Sequence, residues 1–557
     1  MKQRLWSLLT LLGLASLVLM ACGKSKETAE TRAFNQDLTQ TIVSGPIKGQ
    51  KDEDNQVLEW LGVPYARVSE RWTAPKPVET WKDPLDATNP GEPALQLSNG
   101  EIKGVEDALN LDIVRPDTDA TDLPVIVFVH GGNNQTGLAQ EIKGNTFVND
   151  VNAVYVSLNY RLGALGFNPL PALKTGTDEE NSGNYTLLDL AAGLDWVKEN
   201  IATFGGDANN VTLVGFSAGG RDVMATLISP LFKDKYDKAI SFSGGMTLAD
   251  EAESQAIFAK AFAPLVVEDQ VKGSEEEAIS WLLSDDRSVA DYLHQLDGDR
   301  LAPLMGNAGI RMSVFPHLYK DGVVLPKEGF EVAQLNDVPL LLVTGTSEFS
   351  LFTAFDKYFM ADFTGGQLAQ NEEKLAEFLY ARNYGGDFYR LANGVESARL
   401  LADRYKSPIY IGEIQYGANA EVTPTLANGL SAYHGVFEPL LQTPSNYAGL
   451  IGEDFYNDGQ AALAKAFKGY LKAFIATANP GQDWKAWTKD GQEVLKLDAD
   501  KEKAIIAMSS DSETAEDILA RMEADSSLSS EQKKVLNEQV LNGRWFSQVL
   551  DEANFKY

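Results

Sequence analysis

The stretch Val211-Thr-Leu-Val-Gly-Phe-Ser-Ala-Gly-Gly220 decides the reading of this chain. The apolar, β-branched run 211–216 predicts a buried strand, and 218–228 predicts a helix. Between them lies Gly215-Phe216-Ser217-Ala218-Gly219, a G-x-S-x-G pentapeptide at a strand-to-helix junction. A serine at so tight a turn sits in strained backbone. The glycines two before and two after let strand and helix approach without a Cβ clash. The hydroxyl then stands at the strand tip, backed by a helix N-terminus that favours negative charge. In that context Ser217 is a candidate nucleophile; the plainer reading is a turn serine.

Outward from this stretch the chain alternates. Residues 57–66 are strand-like. Residues 123–129 form a near-continuous apolar run ending in His130-Gly131-Gly132, and 153–158 form a second, followed by Asn159-Tyr-Arg-Leu-Gly163. Such runs read as strands buried on both faces. Over 185–204, Leu190, Leu194, Val197, Ile201 and Phe204 share one helical face, and Gly205-Gly206-Asp207 supplies a stop. Further strands are predicted at 239–242, 339–344 and 409–414, and an amphipathic helix at 461–478. Strands alternating with helices imply an α/β architecture, a mostly parallel sheet covered on both sides. The helical regions 247–304 and 355–405 read as insertions capping that sheet. The segment 514–557 reads as acidic surface helices with no chemistry assigned.

With 557 residues the chain is one large α/β enzyme with insertions or several small domains. A 44% hydrophobic content supplies a sizeable core. The net charge of −31 leaves no basic footprint for nucleic acid and suits an exported protein kept soluble by repulsion. The single cysteine, Cys22, excludes an intramolecular disulfide. It follows a basic start, Met1-Lys-Gln-Arg4, and an apolar run over 5–20, the pattern of a signal peptide. Leu19-Met-Ala-Cys22 resembles a bacterial lipobox, in which Cys22 becomes the lipidated first residue. The alternative is an ordinary signal peptide with an incidental cysteine. Gly23 resembles the sorting position that sends Gram-negative lipoproteins to the outer membrane. The expected organisation is a signal peptide and lipobox over 1–22, a flexible tether over 23–40, the main domain over 41–510 and a helical extension over 511–557. Membrane contact is expected through the lipid anchor alone. No zinc-type Cys/His spacing and no phosphate-binding Gly loop occurs, so no metal or cofactor is expected.

Several stretches, in order, resemble the type B carboxylesterase family, the α/β-hydrolases that include cholinesterases and many bacterial esterases. They are Gly62-Val-Pro-Tyr-Ala66, Glu106-Asp-Ala-Leu-Asn110, His130-Gly-Gly132, Asn159-Tyr-Arg161, Gly205-Gly-Asp207, Gly215-Phe-Ser-Ala-Gly-Gly220, Asp321-Gly-Val-Val-Leu-Pro326 and Ala478-Asn-Pro-Gly481. The resemblance implies an α/β-hydrolase fold and a Ser–Glu–His triad in that chain order. A hydroxyl needs a base to take its proton, and the base needs a carboxylate to fix its tautomer and stabilise its charged form. Glu348, in Val343-Thr-Gly-Thr-Ser-Glu348, matches the family's acid, and His434, in Ala432-Tyr-His-Gly435, its base. His130 matches a structural histidine. The rival carboxylates Asp189 and Glu106 match ion pairs, with Arg161 and Arg71. The implied oxyanion donors are the N–H groups of Gly132, Asn133 and Ala218, with Asn133 standing where the family has glycine. Other departures are Phe216 for a frequent Glu, Phe349 for a usual Gly, and Ala108 near a family cysteine. Phe216 removes a negative charge beside the ester, which disfavours a choline-like cationic substrate. The implied activity is hydrolysis of a small-molecule carboxylic ester through an acyl-enzyme, without cofactor. The alternatives are a non-catalytic binding or adhesion protein on the same fold and a lipase working at lipid surfaces.

Overall fold

Eleven strands pair into one sheet in the computed structural model, which describes residues 34–554. In chain order they are β1 (Gln50–Asp52), β2 (Val57–Pro64), β3 (Asn110–Pro116), β4 (Leu123–Val129), β5 (Val154–Leu158) and β6 (Gly206–Phe216). Then come β7 (Lys238–Phe242), β8 (Leu340–Gly345), β9 (Ile409–Ile414), β10 (Glu493–Ala499) and β11 (Ala504–Ser510). Their spatial order is β11-β10-β9-β8-β7-β6-β4-β5-β3-β2-β1. The strands from β10 to β5 run parallel, and antiparallel strands flank them on both sides. Every residue of β7, β8 and β9 is buried, so these strands lack polar–apolar alternation.

The strand order places the site. From β4 the chain moves to β5 on one side, then returns through the helix Tyr185–Asn200 to β6 on the other. That reversal opens a crevice beyond the C-terminal ends of β4 and β6, where open α/β sheets bind ligands. Register pairs Gly215 with Val129, so the segments after the two strands emerge side by side.

Several boundaries differ from the sequence reading. The helix predicted to 204 is α-helical only to Asn200; a tighter turn, Ile201–Phe204, closes on Gly205 at φ +75°. Strand β6 starts at Gly206 and carries an irregularity before Val211. The hairpin β10–β11 has no counterpart in the sequence reading. Its outer strand is only half buried, and its turn is a charged one in which Asp500 accepts the N–H groups of Glu502 and Lys503. The segment 34–40, expected to be tether, is packed. Phe34 lies under the Arg115 guanidinium at 3.8 Å, and Thr39–Ile42 pairs with Gly45–Lys48.

The C-terminal segment also departs from expectation. Its helices Ala515–Ala524 and Ser530–Leu536 pack on the long helix Glu372–Asn393. Leu536, Val540, Leu541, Trp545 and Phe546 are buried, so this region is no surface appendage. No helix among the described residues is long and apolar enough to cross a membrane. The leader over 1–22 and Cys22 lie outside the described residues.

Candidate active site

Ser217 caps the helix Ala218–Thr226 at φ +56°, ψ −116°, a conformation that costs a non-glycine residue about 1–3 kcal/mol. Its surroundings hold it there. Its N–H donates to the Phe242 carbonyl at 2.8 Å, and its carbonyl accepts the Arg221 N–H at 3.0 Å. A Cβ at Gly215 would strike the Gly219 carbonyl, and one at Gly219 would strike the Val129 carbonyl. The glycine spacing is therefore a requirement of closure between β4, β6 and the helix.

Glu348 follows β8 by three residues and is fully buried. Its Oε1 accepts from Ser243 Oγ at 2.6 Å, Thr344 Oγ1 at 2.9 Å and the Gly345 N–H at 2.6 Å. Its Oε2 lies 2.5 Å from His434 Nδ1. A carboxylate so surrounded accepts, so Nδ1 carries the proton and Nε2 keeps its lone pair. His434 is packed between rings, with Phe216, Phe352 and Tyr389 centroids at 4.9, 5.1 and 5.2 Å. Phe216, the departure noted in sequence, is thus a wall of the imidazole's slot.

Ser217 and His434 line one cavity of about 870 Å³. His434 Nε2 has no hydrogen-bond partner among the described residues. The Tyr389 hydroxyl lies close enough to Ser217 and Trp545 to feel both electrostatically. The bond between Glu348 and His434 is made, and the bond from Ser217 to His434 is not. Catalytic hydrogen bonds are often open in the unliganded state. A turn of the serine side chain toward Nε2 is the movement required.

Gly132 and Asn133 follow β4 in left-handed backbone, at φ +95° and +56°. Asparagine tolerates that region better than most residues. Its side chain is fixed from both ends: Asn133 Nδ2 donates to Gln135 at 3.0 Å, and Oδ1 accepts from Arg221 Nη2 at 3.2 Å. The same Arg221 nitrogen donates to His317 Nε2 at 2.7 Å, while His317 Nδ1 donates to the Phe315 carbonyl at 3.0 Å. Burial and Arg221 hold the His317 imidazole well below its usual range, so it accepts as the neutral ring. The N–H groups of Gly132, Asn133 and Ala218 donate to no other described residue. Three unspent donors beside a serine can receive a developing oxyanion.

The remaining candidates fall where the ion-pair reading put them. Asp189 takes Arg161 in a two-pronged pair at 2.6 and 2.9 Å, and Glu106 takes Arg71 at 2.5 and 2.6 Å. His130 stacks on Tyr160 at 4.2 Å, and burial draws its imidazole down to about 4. No cluster of His, Cys, Asp and Glu among the described residues could hold a metal ion. Sequence reasoning passed over Tyr389, Arg221 and Glu141. Glu141 also lines the cavity, accepts the Gly131 N–H at 2.7 Å and is pushed up to about 7 by burial. Its sequence context, a short turn, carries no motif. Arg221 had a signal, since with Asp222 it interrupts an otherwise small and apolar run over 218–225.

Residues 36–384 match the model of the Carboxylesterase family. Among curated relatives, the para-nitrobenzyl esterase of Bacillus subtilis (strain 168) is 30% identical over 503 residues, covering 83% of this chain and 96% of that protein. The human carboxylesterase 3 is 31% identical over 354 residues, 60% of this chain and 58% of that protein. Among solved structures, a PNB esterase superposes with a TM-score of 0.66 at 27% identity, covering 86% of this chain and 99% of that one.

Proposed function

This chain belongs to the carboxylesterase family and is a carboxylic ester hydrolase with the α/β-hydrolase fold, and on that premise we propose that it acts through Ser217, His434 and Glu348. His434 Nε2 takes the Ser217 proton as Oγ attacks the acyl carbon. Gly132, Asn133 and Ala218 hold the resulting oxyanion on their N–H groups. His434 then passes the proton to the leaving alcohol, and an acyl-serine remains. Water, deprotonated by the same Nε2, attacks the acyl-serine; the bond to Oγ breaks, Nε2 returns the proton to Oγ, and the acid leaves. Glu348 keeps the ring in one tautomer and balances its charge while it is protonated.

The observation that carries this reading is the bare Nε2 of His434. Its ring is fixed by the 2.5 Å bond to Glu348, in the cavity that also holds a strained serine. The test is turnover of a chromogenic short-chain acyl ester. Ser217→Ala is expected to lower kcat by at least ~10⁴-fold. The wild type is expected to be labelled by a fluorophosphonate and the variant is not. Equal turnover by the two proteins overturns the triad.

The same proposal includes the envelope. The support is the sequence alone: a basic start, an apolar run and Leu19-Met-Ala-Cys22. In this reading Cys22 carries lipid and holds the enzyme at the outer membrane. Expression of the full chain in a Gram-negative host is expected to put activity in the membrane fraction, and Cys22→Ser to move the mature protein out of it. An unchanged distribution contradicts the anchor.

A further inference from the structure

The cavity that holds Ser217 and His434 has one wall with an excess of positive charge. Arg311 Nη2 and Arg544 Nη2 both donate to the same oxygen of Asp356, at 3.2 and 2.6 Å. The other oxygen of Asp356 accepts the Tyr358 N–H at 3.0 Å. One carboxylate therefore answers two guanidiniums, and Lys357 lines the cavity beside them. The other partners of the two arginines are neutral. Arg544 Nε donates to the Val540 carbonyl at 3.0 Å and Nη1 to the Gly309 carbonyl. Arg311 Nη2 reaches the Gln539 and Val540 carbonyls at 2.9 and 3.2 Å. All of these Arg311 bonds leave from Nη2, so Nε and Nη1 remain unspent among the described residues.

Arg544 has a side chain only 1% exposed. Burial, with Arg311 beside it, pulls its guanidinium down to about 9, and it is still cationic at neutral pH. Charge removed from water is costly unless it is paired. Here the pairing is one anion short. The chain as a whole carries −31, so a basic cavity wall opposes the charge of the whole molecule. The other carboxyl lining the cavity, Glu141, is pushed up to about 7 and is about half ionised at neutral pH, which leaves the two arginines and Lys357 in excess over it and Asp356.

From this geometry we propose that Arg311, with Arg544 and Lys357, forms a subsite for an ionised carboxylate, and that the preferred substrates are esters bearing a second, anionic acid group. The inference rests on the ester-hydrolase reading. Guanidinium suits the role because its planar fork matches a carboxylate in two-pronged geometry. Such a contact steers and orients the substrate, and Ser217 still performs the attack.

The experiment compares kcat/KM within matched pairs, each value divided by the rate of hydroxide hydrolysis of the same ester. The pair 4-acetoxybenzoate and its methyl ester puts the charge on the alcohol side. The pair monophenyl glutarate and phenyl pentanoate puts it on the acyl side. In at least one pair the anionic member is expected to be favoured about tenfold or more, the range of a charged hydrogen bond. Arg311→Gln is expected to reduce that ratio at least ~5-fold, and Arg311→Lys to retain more of it. In the wild type, the ratio should shrink between about 20 mM and about 300 mM KCl. The salt series stands even where a variant fails to fold. Turnover of both neutral esters with no anionic preference and no salt effect overturns the subsite and leaves the esterase intact. Absence of any turnover, with no fluorophosphonate labelling, overturns the hydrolase reading and the subsite with it.

Discussion

The elbow around Ser217 and the C-terminal segment after Asp511 border one cavity, and they arrive by opposite routes. The elbow is a local object. Its two glycines exist because specific carbonyls, those of Val129 and Gly219, occupy the space a Cβ would need. The C-terminal segment is a product of distant packing. Phe546 stacks on Tyr389 at 4.6 Å and meets Phe349 edge-on at 5.3 Å, while Arg544 reaches Asp356 across 188 residues. A clash between neighbouring backbones leaves a spacing in the sequence. A packing partner far along the chain leaves only an apolar or charged residue among many.

Three substitutions test how differently the two regions are held. The largest effect is expected at the elbow. Gly219→Ala drives a methyl into the Val129 carbonyl, and the serine shifts with the backbone. Activity is expected to fall by at least ~10²-fold, with a stability loss of about 4 kcal/mol read from urea denaturation. A variant of near-normal activity would show that the glycine is not required by closure.

The second point is the far wall. Phe546→Ala removes a buried ring from Tyr389 and Phe349, and a loss of about 3 kcal/mol is expected. Because Tyr389 stacks on His434, turnover should fall along with the urea midpoint. Wild-type values for both would return the segment to the status of a surface extension.

The third and smallest effect lies on the elbow helix. Asp222 is fully buried on the elbow helix, with Oδ1 accepting Asn134 Nδ2 at 2.8 Å, and burial pushes its carboxyl up to about 7. The folded state then holds this proton more tightly than the unfolded chain. Its stabilising contribution is complete below the ordinary carboxylate range, near pH 4, and is lost as pH rises through about 7. Asp222→Asn removes that dependence. Between pH 5.5 and pH 8, the stability difference is expected to move toward the variant by about 2 kcal/mol. Parallel pH profiles for the two proteins would locate the proton elsewhere.

Much of the fold was legible for the same reason as the elbow. Strands such as 409–414 are buried along their whole length and announce themselves as apolar runs. Glu348 and His434 were legible through order and resemblance, and they do meet. The pairs Asp189–Arg161 and Glu106–Arg71 were also foreseen and form. The half-exposed outer strand β11 was not legible, because only part of its surface is buried. Nor were Tyr389, Arg221 and Glu141, whose partners are brought to them by the fold and not by a local motif. The tether boundary was placed too late because Phe34 is a lone aromatic in polar sequence, and its partner, Arg115, lies on a strand far along the chain.

The crowding on one oxygen of Glu348 has a last consequence. Two hydroxyls and an amide already occupy Oε1, so no lone pair remains there for an additional hydrogen. The carboxylate is thereby pinned in place with Oε2 turned to the ring. A ring anchored at Nδ1 cannot swing, so the nitrogen left facing the cavity stays aimed at the same spot through the proposed cycle.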